Sequence, residues 1–100
     1  MIRVVYRVNV QPEHVSAFVE GWKEMTEAIR SSRPGALGSV LLGDPSDPSV
    51  YLAMATWQSL EHFEAHQKLE SAQPEASAKM NAVSTWAETK VYDVIEDLSV

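Results

Sequence analysis

Hydrophobic residues recur along this chain with two different periods, and the changes between them mark the predicted strands and helices. Near the start, apolar side chains stand at every second position, which is typical of a strand: Ile2, Val4, Tyr6, Val8 and Val10. Residues 15–29 then carry apolar side chains three and four positions apart, which predicts a long amphipathic helix. Pro12 suits the first turn of this helix, and Arg33-Pro34-Gly35 ends it.

The rest of the chain divides into shorter predicted elements: strand 36–43, turn 44–48, strand 50–57, helix 59–69, helix 74–83 and strand 87–96. The turn is rich in Asp, Pro and Ser, which are residues that commonly form turns. Ser59 is a suitable N-cap for the first of the two helices, and Pro74 suits the first turn of the second. The second helical region is therefore predicted to be broken in two.

This order of elements predicts an α+β fold. The sequence β-α-β-β-α-β corresponds to the ferredoxin-like split βαββαβ arrangement, a four-stranded antiparallel sheet with helices on one face. The predicted strands 36–43 and 50–57 are mostly apolar on both sides of the pleat. Because an antiparallel sheet with two apolar faces needs a second cover, we expect a homodimer that packs through its sheet faces.

Composition narrows the class of protein. The chain has 100 residues, of which 45% are hydrophobic, and this suits one globular domain over residues 1–100. A net charge of −6 argues against a nucleic-acid partner, because phosphate binding needs a basic surface. No apolar run approaches the ~20 residues of a membrane span, and no apolar signal segment precedes the first strand. We therefore expect a cytoplasmic protein without a membrane partner.

Candidate chemistry is concentrated at one strand-to-helix corner, residues 51–66. Trp57 ends a row on one face of its strand that also contains Tyr51 and two small residues, Ala53 and Ala55. Small side chains beside a large ring would leave space for a ligand, unless helix side chains fill it. Trp22 and Trp86 are instead interpreted as core or dimer-interface residues.

The helix after Trp57 carries Phe63 and His66 three positions apart, so they share its inner side. His66 could act as a general base, or it could be a structural histidine bound to a backbone carbonyl. His62 and His66 have the spacing of two metal ligands on one helix, but no third ligand is evident and no metal is expected. On the first strand, Tyr6 could offer a buried hydroxyl to a substrate oxygen.

In their order and spacing, these segments together resemble the antibiotic biosynthesis monooxygenase family, which has a dimeric α/β-barrel fold. The resemblance covers nearly the whole chain, and it is carried by Gln11-Pro12-Glu13, Phe18, Trp22, Pro34-Gly35, Asp47-Pro48, Trp57 and the run from Ser59 to His66. Family members include cofactor-independent monooxygenases of polyketide tailoring, quinol monooxygenases, haem-degrading enzymes and an isomerase-like enzyme.

The resemblance also implies roles for particular positions. In the polyketide-oxidising members, the tryptophan equivalent to Trp57 lines the substrate cavity, and an aromatic residue six positions later, here Phe63, helps to bind the substrate. An asparagine four positions before that tryptophan is replaced here by Ala53. The haem-degrading members match less well, because Tyr6 replaces their asparagine in the first strand and Ser77 stands near the position of their axial histidine.

The resemblance, together with the aromatic corner, therefore implies a cofactor-independent monooxygenase that uses O₂ on an electron-rich aromatic or quinol-type, polyketide-like substrate. Such a substrate supplies its own electrons to O₂ once it is deprotonated, so neither a metal nor an organic cofactor is expected. The predicted catalytic residues are His66 and Tyr6, and the predicted substrate-binding residues are Trp57, Phe63, Tyr51 and His62. The alternatives are a non-catalytic dimeric barrel that binds a small hydrophobic ligand and a polyketide-type isomerase or cyclase.

Overall fold

Four strands and three α-helices make up most of the protein in this computed structural model, which describes residues 1–99. In chain order the elements are β1 (Ile2–Val10), a 3₁₀ turn (Pro12–His14), α1 (Val15–Ser32), β2 (Ala36–Asp44), β3 (Asp47–Trp57), α2 (Leu60–Gln67), α3 (Pro74–Ala82) and β4 (Ser84–Asp93). Among these residues, no helix is both long and apolar enough to cross a membrane. The cytoplasmic location and the extent of the domain stay predictions.

The strands form one antiparallel sheet in the order β2-β3-β1-β4. β1 lies in the interior of the sheet and pairs with β3 on one side and β4 on the other. The helices pack on one face of this sheet, so the predicted ferredoxin-like α+β fold is confirmed.

Three predicted strand boundaries, the start of β3 and both ends of β4, are wrong by three residues. β3 begins at Asp47 rather than at residue 50, because Asp47 already pairs with Asp44 of β2 across the tight turn. β4 runs from Ser84 to Asp93 rather than over residues 87–96. The ladder to β1 determines this position, since Val10 pairs with Ser84 and Ile2 pairs with Asp93.

A β-bulge in β4 changes which side chains face the helices. Arg7 and Val8 are neighbours on β1, but they pair with Glu88 and Trp86, which leaves Ala87 as an extra residue. The alternation of β4 therefore changes phase at Ala87. As a result Trp86 lies on the same face as the buried Val8, beneath the helices.

The core on the helix-facing side of the sheet consists of two clusters. One contains Ile2, Val4, Trp57 and Phe63, and the other contains Val8, Val10, Phe18 and Met80. Tyr6 lies between the two clusters along β1, and its cross-strand partners are the small residues Ala53 on β3 and Thr89 on β4. On the helix-facing side, the side chains that flank Tyr6 at the centre of the sheet are therefore small.

On the opposite face of the sheet, the part formed by β2 and β3 is largely apolar, whereas β1 and β4 also place Arg3, Arg7, Glu88 and Lys90 there. The register places Val5, Met54 and Val40 in one row across β1, β3 and β2. Leu52 and Leu42 continue this surface in the next row. Val40 and Leu42 are 48% and 42% exposed, so the chain presents an apolar sheet face to its surroundings.

Two glycines adopt positive φ angles, and they differ in their surroundings. Gly35 has φ of 81°, and a Cβ atom built on it would lie 2.4 Å from Cγ of His62. Gly38 has φ of 106° at an irregularity in β2, and a Cβ atom there would contact nothing within 4 Å. A substitution at Gly38 therefore carries only the energetic cost of the positive φ angle, whereas one at Gly35 also carries the cost of a steric clash.

Replacing each glycine by alanine tests this difference. Gly38→Ala is expected to lower the free energy of unfolding by about 1 to 2 kcal/mol, because an L residue disfavours positive φ. Gly35→Ala is expected to cost more, since its methyl group would also displace the His62 ring. Urea unfolding followed by circular dichroism measures both losses. In a His62→Ala background the excess should become smaller without vanishing, because the Cβ atom of residue 62 would still lie 2.6 Å from the added methyl group. An equal loss for both variants in the native background would contradict the steric account.

Candidate active site

A cavity of about 400 Å³ lies between the helices and the sheet, next to Tyr6. All four strands and all three helices contribute to its wall. The aromatic part of the wall consists of Tyr6, Trp22, Trp57, Trp86 and His66. Thr26, Ser39, Ser77, Asn81 and Thr89 contribute hydroxyl and amide groups. This is a mostly apolar cavity with a few polar groups, which is typical of a site for a small organic ligand.

The small residues at the centre of the sheet explain why the cavity is present. Ala53 and Ala55 of β3 both line it, and Thr89 does so from β4. The helices contribute Trp22, Met25 and other side chains to the wall, but they do not fill the space. Among the lining residues, the exposed ones lie on α3 and β4: Asn81, Trp86 and Thr89. These three residues form the most solvent-exposed part of the wall.

Trp57 is buried at the corner between β3 and α2, and two rings of α2 pack on it. The ring centroids of Trp57 and His66 are 4.9 Å apart, and those of Trp57 and Phe63 are 5.8 Å apart. Trp57 and His66 both line the cavity, and their roles in catalysis and substrate binding stay predictions. Phe63 is buried in the core cluster of Val4 instead, so it supports the Trp57 ring and does not line the cavity.

His62 closes the corner and does not line the cavity. Its Nδ1 atom is 2.7 Å from the Ser59 hydroxyl, which also accepts a hydrogen bond from the His62 backbone N–H at 3.2 Å. The ring packs against Gly35, whose carbonyl accepts a hydrogen bond from the Gln58 N–H at 2.8 Å. Within residues 1–99, no three His, Cys, Asp or Glu side chains are grouped so that they could hold a metal ion.

Tyr51 also lies outside the cavity wall. Its ring packs on Phe18, with centroids 6.5 Å apart, beside the core cluster of Val8. Of the six residues that the sequence singles out, the structure thus brings Tyr6, Trp57 and His66 together around one cavity. It places Tyr51, His62 and Phe63 in the packing that surrounds the cavity.

His66 is half-buried, and its environment favours the neutral imidazole. Its Nδ1 atom is shielded from solvent and has no hydrogen-bond partner among the described residues. Burial, and secondly the positive charge of Arg33, lower the pKa of His66 below its ordinary value near 6.5. At pH 7 the imidazole is therefore uncharged and can accept a proton.

Tyr6 presents a protonated hydroxyl. Burial raises the pKa of Tyr6 above its ordinary value of 10.0, so the phenol stays protonated at neutral pH. The ring is held edge-on to Trp86, with centroids 5.7 Å apart. Such a hydroxyl is suited to donate a hydrogen bond to an oxygen of a bound molecule.

Trp22 and Trp86 line the cavity, although the sequence favours a core or interface role for both. For Trp22 a signal was present, because Thr26 interrupts the apolar stripe of α1 one turn later and also lines the cavity. For Trp86 no such signal exists. The bulge at Ala87 changes the phase of β4, and only the pairing with β1 reveals it.

Comparison with solved structures shows the same fold in proteins of low sequence identity. SnoaB, a cofactor-independent oxygenase from Streptomyces nogalater, has a TM-score of 0.77 at 21% identity, with 99% of this chain and 97% of that chain covered. MhuD, a heme-degrader from Mycobacterium tuberculosis, has a TM-score of 0.75 at 21% identity, with 99% and 100% covered. At these identities the likeness shows the fold alone.

A protein from Deinococcus radiodurans, provisionally described as an antibiotic biosynthesis monooxygenase, has a TM-score of 0.78 at 19% identity, with 100% of this chain and 98% of that chain covered. No curated protein sequence matches the chain significantly. The sequence profile of the antibiotic biosynthesis monooxygenase family matches residues 1–77, well over half of the chain. The protein therefore belongs to the antibiotic biosynthesis monooxygenase family.

Proposed function

We propose that this protein is a cofactor-independent monooxygenase that oxidises an electron-rich aromatic or quinol-type, polyketide-like substrate with O₂. One observation carries the proposal: an uncharged His66 and a protonated Tyr6 share the wall of one cavity with three tryptophan rings. A base, a hydrogen-bond donor and an apolar aromatic enclosure are the three features that this chemistry needs from a protein.

The cavity wall suits a flat, uncharged molecule. Trp22, Trp57 and Trp86 offer rings on which an aromatic ligand can stack, and each such contact contributes about 0.5 to 1.5 kcal/mol beyond the area it buries. Within the described part of the chain, residues 1–99, no Asp, Glu, Lys or Arg side chain lines the cavity. A neutral polycycle or quinol would therefore bind without burying an unpaired charge.

In the proposed reaction, His66 accepts a proton from the substrate carbon or hydroxyl that is to be oxidised. The resulting carbanion or enolate transfers electrons to O₂, and a carbon–oxygen bond forms to give a hydroperoxide. The oxygen–oxygen bond then breaks, one oxygen atom remains on the substrate as a carbonyl, and the other leaves as water. For a methylene substrate, CH₂ and O₂ thus become C=O and H₂O. Tyr6 would donate a hydrogen bond to the developing enolate oxygen.

Family membership and the relative SnoaB, a cofactor-independent oxygenase, support this choice among possible activities. One observation favours a second candidate, a non-oxidative ligand-binding barrel or isomerase. Ala53 lines the cavity. At the equivalent position, the polyketide-oxidising members of the family carry an asparagine. A protein with this apolar wall could bind the same class of ligand without oxidising it.

Oxygen uptake with a panel of anthrones and hydroquinones tests the activity directly. His66→Gln is expected to lower turnover by about 10²- to 10⁴-fold, because a general base contributes this much. Tyr6→Phe should lower it by about 10²-fold, the effect of one oxyanion donor. His14→Gln is the matched control, since this histidine is exposed on the 3₁₀ turn outside the cavity.

Quenching of tryptophan fluorescence by the same compounds measures binding separately. Binding that survives in His66→Gln while oxygen uptake is lost would support the base role. Saturable binding by the wild-type protein with no uptake above autoxidation would refute the oxygenase and leave the ligand-binding or isomerase alternative.

The pH dependence follows from the lowered pKa of His66. Because the base is the neutral imidazole, kcat/KM should rise as the pH rises through a value below 6.5 and then stay level through neutral pH. A pH–rate profile between about pH 4.5 and 8.5 measures this limb. A profile that begins to rise only above neutral pH would contradict the assignment of His66 as the base.

We also propose that the protein is a homodimer that packs through the outer face of its sheet. Val5, Val40, Leu42, Leu52 and Met54 form an apolar surface there. A stable interface buries about 800 Å² on each partner, so residues around this apolar surface would also take part. Covering this face would remove exposed apolar surface that monomeric proteins rarely carry.

Two substitutions test the dimer, one on the outer face of the sheet and one on the helical side of the protein. Val40→Lys places a charge in the proposed interface and should convert the dimer into a folded monomer. Leu60→Lys on α2 is the matched control, because Leu60 is 47% exposed and Val40 is 48% exposed. Sedimentation of both variants at micromolar concentration gives the mass. A wild-type protein that sediments as a single chain would refute the proposal.

A further inference from the structure

Arg33 connects the end of α1 to the segment that follows α2, the helix that carries His66. It follows the end of α1, where its backbone N–H donates to the Ile29 carbonyl at 2.9 Å. Its guanidinium Nη2 donates a hydrogen bond to the backbone carbonyl of Glu70, in the connection between α2 and α3. The side chain therefore ties the end of one helix to the segment that follows another.

This contact fixes the end of α2, the helix that carries His66. The Leu69 N–H donates to the His66 carbonyl at 3.1 Å, so Glu70 directly follows the last turn of this helix. A helix of eight residues is not stable by itself and depends on tertiary contacts. Ser59 caps its beginning and the Arg33 side chain holds its end.

The inner atoms of the two side chains are also linked electrostatically. Arg33 Nε and His66 Nδ1 are both shielded from solvent and lack hydrogen-bond partners among residues 1–99. The guanidinium is a permanent cation, and Nε can only donate a hydrogen bond. A fixed positive charge of this kind disfavours the imidazolium form of His66, and it adds to the effect of burial on the pKa.

Few other ionisable groups face the imidazole. Tyr6, on β1, is the other titratable side chain in the cavity wall, and the lining residues of β2, α3 and β4 contain none. On α2 itself, His62 is bound to Ser59 and packed on Gly35. Glu70 meets Arg33 through its backbone carbonyl. Arg33 is therefore the cation whose charge acts on His66.

We propose that Arg33 is a positioning residue for the reaction proposed above: its guanidinium holds the end of α2 so that the imidazole lies against Trp57, and its charge adds to burial in disfavouring the protonated imidazole. Arg33 does not line the cavity, so it acts through His66 and not on the substrate. The inference rests on the proposed function for its catalytic consequence. Its effect on the imidazole can be measured without any turnover.

The experiment is an NMR titration of the His66 ring protons in three variants, together with their pH–rate profiles. Arg33→Met removes the charge and the hydrogen bond to Glu70, and it should move the titration of His66 upward toward 6.5. The acid limb of kcat/KM should move with it, so that activity falls more at pH 5.5 than at pH 8. Arg33→Lys keeps the charge and should retain the wild-type titration.

Arg30→Met is the control, because Arg30 is exposed in the last turn of α1 and its loss should change neither measurement. An unchanged His66 titration in Arg33→Met would overturn the proposal, since a purely structural residue would alter stability without altering protonation. If Arg33→Met does not fold, an upward shift in Arg33→Lys overturns the proposal equally. If the His66 titration shifts only in Arg33→Met and the wild-type protein consumes no oxygen, the link between Arg33 and His66 is retained and the oxygenase is rejected.

Discussion

The space beneath the helices exists because the centre of the sheet carries too little side-chain volume to fill it. Tyr6 is flanked by Ala53 and Thr89, while larger apolar residues lie toward both ends of β1. Protein interiors are close-packed, and an unfilled volume costs stability. A chain of this length has a small core, and the small residues at the centre of its sheet leave part of that core unfilled.

The corner between β3 and α2 gives two histidines different environments. His62 is held by Ser59 through its Nδ1 atom and is packed on Gly35. His66, one turn later, is stacked on Trp57 with a buried, unpartnered Nδ1 atom. Both residues lie on the same short helix, but only His66 reaches the cavity. The local contacts of His62 therefore stabilise the corner that presents His66.

Periodicity predicted most of the fold because β1, α1 and the corner each follow one undisturbed pattern. The alternation over residues 2–10 and the helical spacing over residues 15–29 agree with the observed elements. The start of β4 was misplaced because strand ends depend on a partner strand, here β1. Within the site, Trp57 and His66 could be found from their positions at a strand end and on a helix face. Trp86 could not, because the bulge at Ala87 reverses its face.

By itself, the sequence determined the order of elements, the two apolar faces of β2 and β3 and the aromatic corner, since these depend on residue type and local spacing. Only the tertiary structure decided which rings border open space. Phe63 and His66 share one helix face, yet packing buries Phe63 in the core and leaves His66 at the cavity. The contact between Arg33 and Glu70 joins residues 37 positions apart. Such long-range relations arise from three-dimensional packing, and no local pattern in the sequence encodes them.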